Sequence, residues 1–307
     1  MNDTSIRNLI LKNLESSKGK KTDRIVTTLL LMAASISIVT SIGIVVTLVN
    51  DAVHFFAEVP LRDFFSTELA PLGIEPAFGV IPLLVGTVMS ALIAMLVAVP
   101  IGLTAAIYLS EFAPTSFRNT LKPIMEVLAG IPTIVYGFFA YSFVTPILMK
   151  MLPNLEAKNV LSAGLVMGVM IIPMVTSLSE DAMNAVPNSL REGALALGAT
   201  KLEVTLKVVV PAAISGIVAS FILGISRAIG ETMIVVIASG SSKKLTFDIT
   251  QSMQTMTSYI VEFTGGDAGA GTVGYYSLYA VGLLLFIFTL IMNLIAQYVA
   301  KKYREVY

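Results

Sequence analysis

Long apolar runs alternate along this chain with short polar stretches. Six runs approach or exceed the roughly 20 residues that a membrane-spanning helix needs. They are Ile25–Val49, Val80–Leu109, Ile124–Met149, Val160–Leu178, Ala212–Ala238 and Tyr276–Val299. The first is too long for the apolar core of a signal peptide, and no A-x-A site follows it, so it is expected to remain as an anchor. Five prolines, Pro82, Pro100, Pro132, Pro146 and Pro173, fall inside these runs. Helices in lipid tolerate internal proline when neighbours satisfy the freed carbonyls. Small residues recur at helical spacing in Gly164-x3-Gly168 and in Gly216, Ser220, Gly224. Such rows predict close helix packing.

The polar stretches set a direction. With the N-terminus inside, 14 of the 20 Lys and Arg residues fall in inside segments and five in outside loops. That bias follows the positive-inside rule and places both ends in the cytoplasm. The expected organisation is a cytoplasmic tail over 1–24, a first span with an outside loop over 25–79, a core over 80–300, and a tail over 301–307. The core includes a cytoplasmic loop over 179–210. The outside loop before the core carries Phe55, Phe56, Phe64, Phe65 and Phe78 among acids. It is expected to rest on headgroups or to touch an extracytoplasmic protein. The stretch Gly265-Gly266-Asp267-Ala268-Gly269-Ala270-Gly271 is expected to be a flexible turn.

Composition narrows the function classes. Apolar residues are 55% of the chain and charged residues 13%, against about 25% charged in a soluble domain. The mean hydropathy is +0.84 and the formal net charge is zero. A disordered chain, an ordinary soluble enzyme and a basic nucleic-acid binder are excluded. One His and no Cys exclude disulfide scaffolds, most zinc chemistry and an acyl-transfer triad. His54, in an outside loop, is expected at the surface. No G-x4-G-K-[ST] run is present, so ATP is not cradled here by that route. Energy is expected from a partner or a gradient.

The remaining cation is Arg227, inside the fifth run. Ser226-Arg227-Ala228-Ile229-Gly230-Glu231-Thr232 puts opposite charges at i and i+4, on one face of an expected helix. A central Arg costs about 2.5–3.5 kcal/mol on insertion scales. Cation before anion is the poorer order for helix stability, so helicity does not explain the pair. Two readings stand: an ion pair that pins helices, or a charged station on a solute path. An Arg suits an oxyanion because its planar fork gives bidentate, charge-assisted bonds. Glu231 would orient it and keep it from holding the anion too tightly.

A second dense stretch is Ala129-Gly130-Ile131-Pro132-Thr133-Ile134-Val135-Tyr136-Gly137. Pro132 frees the carbonyl of Leu128, and Thr133 and Tyr136 bring hydroxyls nearby. The stretch is either a structural kink or an element that lines a pathway. Glu126 is expected near a helix N-terminus, where an acid complements the dipole. In the cytoplasmic loop, Ser189-x-x-Glu192 reads as a capping box with Gly198 as the stop, and Thr200-x-x-Glu203 as a second box. Leu190, Ala194 and Leu197 form the apolar stripe of the first short helix, and Gly193 allows close approach. Such a helix either lies on its own bundle or docks on a partner.

Glu192-Gly193-Ala194, three residues, Gly198, nine residues, then Val208-x-Val210-Pro211 resembles the EAA loop of ABC-importer permeases, E-A-A-x3-G-x9-I-x-L-P. Ala→Gly at 193 and two aliphatic exchanges are the departures. Phe78–Thr87, Tyr108-Leu109-Ser110-Glu111, Ala129–Gly137 and Arg227–Met233 resemble the phosphate-uptake branch. Met233 and Thr255-Met256-Thr257 resemble its PstC-type subunit. The resemblance covers about 25–300. It implies an all-α integral membrane bundle of six transmembrane helices, MetI-like, in a prokaryotic inner membrane. It implies four kinds of partner: the bilayer, a PstA-type second permease, a PstB-type ATPase pair that holds ATP and Mg, and a PstS-type phosphate-binding protein. Arg227, Glu231, Ser226, Thr232, Pro132, Thr133 and Tyr136 would then line the path. Leu190, Glu192, Gly193, Ala194, Leu197 and Gly198 would couple to the ATPase. No cofactor and no catalysis are expected on this chain. The rival readings are a permease for phosphonate or molybdate, a gradient-driven transporter and, least supported, an intramembrane enzyme.

Overall fold

The computed structural model describes residues 17–267, 269 and 271–302. The chain forms two units, 1–51 and 52–307. The first holds most of helix α1 (Ser17–Glu58). Its side chains from Asp23 onward are almost all exposed.

The second unit begins with the end of α1. It continues with a short turn α2 (Leu61–Phe64), a small antiparallel ladder β1 (Leu69–Ala70) with β2 (Ala77–Phe78), and then helices alone. These are α3 (Ile81–Phe112), α4 (Thr115–Gly130), α5 (Thr133–Met151), α6 (Val160–Asn184), α7 (Asn188–Ala196), α8 (Lys201–Ala212), α9 (Ile214–Ile229), α10 (Met256–Glu262) and α11 (Val273–Lys302). Among the described residues, five helices are long and apolar enough to span a membrane, or six if the bent pair α8 and α9 counts as one span.

The core lies where α3, α6 and α9 pack around Ala94, Ala98, Met167, Ile171, Val175 and Ala228. The small-residue rows make this contact, as expected. A Cβ at Gly164 would lie 2.7 Å from Ile93 of α3, so only glycine lets the two backbones approach. In the other row, the Ser220 and Ser179 hydroxyls meet at 2.8 Å. Asn159 starts α6 by accepting the Ser162 N–H at 2.7 Å, which satisfies an orphan donor of the first turn.

Several expectations fail. The third apolar run is not one helix: the chain breaks at Ile131–Pro132, so α4 is separate and the span is α5 alone. Pro132 is the N-cap of α5 rather than an interior residue, and Pro82 stands in the first turn of α3. Glu126 therefore sits near the C-terminal end of α4, not its N-terminus. The fifth run bends by 69° between α8 and α9 and breaks again after Ile229. Three of the five loop phenylalanines turn inward, while Phe65 is 50% exposed. Phe55, Phe64 and Phe78 are buried together with Tyr259 and Phe263, and Phe55 meets the other two edge-on at 5.7 and 5.5 Å. His54 is exposed, as expected, and its ring lies 5.3 Å from that of Tyr276. Within the glycine-rich turn, Gly266 has φ +113; Ala268 and Ala270 lie outside the described residues, as do Arg7, Lys12 and Arg304.

Candidate functional site

Helix α9 ends at Ile229, and Gly230 is its C-cap. Glu231 and Thr232 are not helical, and the chain recoils from Met233 into a turn over Val235–Ser239. Glu231 occupies the break. Its Oε1 accepts the N–H groups of Met233 at 3.1 Å and Ile234 at 3.4 Å, which caps the new segment. Its Oε2 lies 3.2 Å from Arg227 Nη1. The pair therefore keeps its i, i+4 spacing but does not share one continuous helix, a correction to the sequence expectation. Arg227 stands in the last turn of α9 and Glu231 at the start of the next segment. Each charge meets the end of a dipole that favours it, so the order cation then anion is the stabilising one.

The two charges differ in exposure. The Glu231 side chain is 2% exposed and that of Arg227 46%. Arg227 Nη2 also lies 3.9 Å from the Met170 sulfur. A guanidinium has five N–H donors, so this one retains capacity for a further acceptor. The surrounding residues hold the break in place. The Thr257 hydroxyl donates to the Glu231 carbonyl at 2.7 Å, the Ser226 hydroxyl to Asn293 Oδ1 at 3.1 Å, and the Thr232 hydroxyl to the Gly230 carbonyl at 3.4 Å. The sequence reading does not single out Met170 or Asn293, and it names Thr257 only within a longer stretch. Asn293 carried a signal, being an amide within an apolar run. Thr257 had none beyond its place in the Thr255-Met256-Thr257 stretch.

The second dense stretch packs against the first. The Tyr136 hydroxyl donates to the Leu128 carbonyl at 2.8 Å, the carbonyl that Pro132 frees. This bond ties α5 back across the break to α4. Gly137 faces the recoiled segment: a Cβ there would lie 3.0 Å from the Met233 carbonyl oxygen. Tyr136, Ile229 and Ile234 belong to one buried cluster. Tyr136 is thus inside the core, Thr133 half-buried and Pro132 exposed.

The candidate coupling residues lie on α7 and its stop. The expected Ser189 box does not form, because Pro187 is the N-cap and Ser189 falls inside the first turn. The second box does form on Thr200 and Glu203. The Thr200 backbone N–H and hydroxyl, aided by Lys207, hold the Glu203 carboxyl down to about 2. Gly198 stops α7 with φ +86, while the N–H groups of Gly198 and Ala199 donate to Leu195 and Ala194. This is a Schellman stop, where glycine is favoured. The expected stripe divides. Leu190 and Ala194 pack on the bundle near Val186 and Val209, whereas Leu197 is 91% exposed. Glu192, Gly193, Leu195 and Leu197 make an open face, and nothing lies within 4 Å of a Cβ at Gly193.

A family model for binding-protein-dependent transport system inner membrane components matches residues 98–305. The probable ABC transporter permease protein YqgH of Bacillus subtilis is 32% identical over 276 residues, 89% of this chain and 87% of that one. The phosphate transport system permease protein PstC of Xylella fastidiosa is 35% identical over 254 residues, 76% of each chain. The probable PstC of Methanocaldococcus jannaschii is 33% identical over 281 residues, 82% of this chain and 87% of that one. A chain of the bacterial alginate ABC transporter, solved in complex with an alginate pentasaccharide-bound periplasmic protein, shares the fold. Its TM-score is 0.64 at 13% identity, over 94% of this chain and 98% of that one. An inward-facing MetNI methionine ABC transporter chain has a TM-score of 0.54 at 16% identity, over 74% of this chain and 95% of that one. The chain belongs to the family of binding-protein-dependent transport system inner membrane components and is homologous to its PstC-type permeases.

Proposed function

We propose that this chain is a permease subunit of an ATP-driven importer that moves inorganic phosphate into the cytoplasm by alternating access. The observation that carries the reading is the half-exposed Arg227 guanidinium, oriented by the buried Glu231 at a helix break. An intramembrane cation with spare donors suits an oxyanion, and Glu231 limits how tightly the anion is held. The names of the PstC relatives support phosphate as that anion. The partners are a PstA-type second permease, a PstB-type ATPase pair that binds ATP and Mg, and a PstS-type binding protein. Both termini lie in the cytoplasm of a prokaryotic cell, with α7 on that side.

In this reading the open face of α7 around Gly193 seats on the ATPase. Closure of the ATPase pair moves α7, the spans open toward the loaded binding protein, and phosphate passes Arg227. Hydrolysis resets the bundle. The test is reconstitution of the four components in proteoliposomes with radiolabelled phosphate outside and ATP inside. ATP-dependent uptake that unlabelled phosphate suppresses, and that molybdate and phosphonate do not, is the expected result. Suppression by molybdate or phosphonate alone would reassign the anion. Uptake without ATP or the ATPase would sink the reading.

A further inference from the structure

At the α7 end of the bundle a continuous set of charged and polar contacts runs across four helices. Arg191 of α7 reaches Glu111 at the end of α3, with Nη2 2.9 Å from Oε1. Its Nη2 also donates to the Met183 carbonyl at 2.8 Å. Next to Glu111, the Ser110 hydroxyl lies 3.1 Å from both Glu111 Oε1 and Asn184 Oδ1. Asn184 Nδ2 donates to Glu180 Oε1 at 3.4 Å. Glu180, on α6, has no exposed surface and takes two cations from α4: Arg118 at 3.4 Å and Lys122 at 3.2 Å. Arg118 further donates to the carbonyls of Leu109 and Ser110 at the end of α3. The far end of α4 is the Leu128 carbonyl that Tyr136 holds.

Helix α4 makes an unusual attachment. None of its residues is fully buried, and its apolar contacts are peripheral, such as Phe117 edge-on to Tyr108 of α3 at 5.8 Å. Its charged anchors include the two ion pairs to the Glu180 carboxylate, which a buried carboxylate needs to stay ionised. An element with no fully buried residue, tied to the bundle in part through charged groups, shifts as those groups shift.

We infer that Glu180, with Arg118 and Lys122, is an ionic tether that transmits displacement of α7, through Arg191 and Glu111, to α4 and so to the Ile131–Pro132 break. Glu180 is a positioning residue in this account and touches no solute. The inference rests on the function proposed above, in which α7 is what the ATPase moves.

The experiment compares Glu180→Gln with wild type in the reconstituted complex and measures phosphate moved per ATP hydrolysed. The amide keeps the shape of the side chain and loses its charge. The expected result is a fall of about tenfold or more in that ratio, within the range of ordinary coupling energies, while ATP hydrolysis and assembly persist. An unchanged ratio overturns the tether. If Glu180→Gln does not assemble, the half-exposed Lys122→Gln decides by the same ratio: a fall supports the tether and no change overturns it. A second readout is independent of transport. The chain has no Cys, so Met125→Cys and Met174→Cys, which line one cleft between α4 and α6, form the sole pair for cross-linking. In the purified chain their cross-linking rate should differ between wild type and Glu180→Gln, and equal rates overturn the tether. If wild type shows no ATP-driven uptake, the proposed function fails, and the cross-linking arm still judges the tether.

Discussion

Replacing Glu231 separates its two roles at the helix break. Glu231→Ala removes the acceptor for the Met233 and Ile234 N–H groups and the partner of Arg227. Loss of a capping side chain costs about 0.5–2 kcal/mol. The ion pair adds little more, about 0.2–1 kcal/mol, because Arg227 is close to half exposed. The alanine variant should thus be about 2 kcal/mol less stable. Glu231→Gln keeps an amide oxygen for the two N–H groups and loses only the charge, so its cost should stay below about 1 kcal/mol. A difference of about 1.4 kcal/mol is tenfold in an equilibrium constant, which denaturation of the detergent-purified chain resolves. Uptake should be lost in both variants, since both leave Arg227 without its counter-charge. If Glu231→Gln is destabilised as much as Glu231→Ala, the carboxylate does not act as a cap. If Glu231→Gln transports at the wild-type rate, its charge is not part of the path.

Other residues give further tests. Gly193→Phe should fill the open face of α7 and cut ATPase binding or uptake by at least about tenfold, with the chain still folded; a pull-down that retains the ATPase together with full uptake refutes that role. Thr257→Val removes the bond to the Glu231 carbonyl and should cost about 0.5–1.5 kcal/mol and lower uptake, and Thr257→Ser should restore both in the same assays. The lowered Glu203 carboxyl gives a pH dependence. Its box contributes fully above the ordinary value of 4.5 and is lost as pH falls through about 2. An NMR titration of Glu203 with a midpoint near 4.5 would contradict the box.

The apolar runs made the membrane class and most of the spans legible, because lipid leaves so few backbone solutions. They hid the breaks. Ile124–Met149 reads as one apolar run across Gly130-Ile131-Pro132, yet the freed Leu128 carbonyl finds Tyr136 and the run becomes two helices. Ala212–Ala238 likewise hides the break at Glu231, since a side chain that caps a restarted turn shows no periodic signal. The phenylalanines before β2 looked like an interfacial patch because their partners, Tyr259 and Phe263, lie about two hundred residues away. The EAA spacing located α7, but not the inward turn of Leu190 and the outward turn of Leu197. Glu180 and its cations come from separate segments, and only the fold brings them together.

Glu231 serves the fold as a cap, and Arg227 beside it is assigned to the passing anion. Uptake of radiolabelled phosphate by proteoliposomes that carry Arg227→Gln in an otherwise complete complex tests that assignment directly. Assembly and ATP hydrolysis should persist while phosphate uptake is abolished. Near-normal uptake by that variant would contradict the assignment.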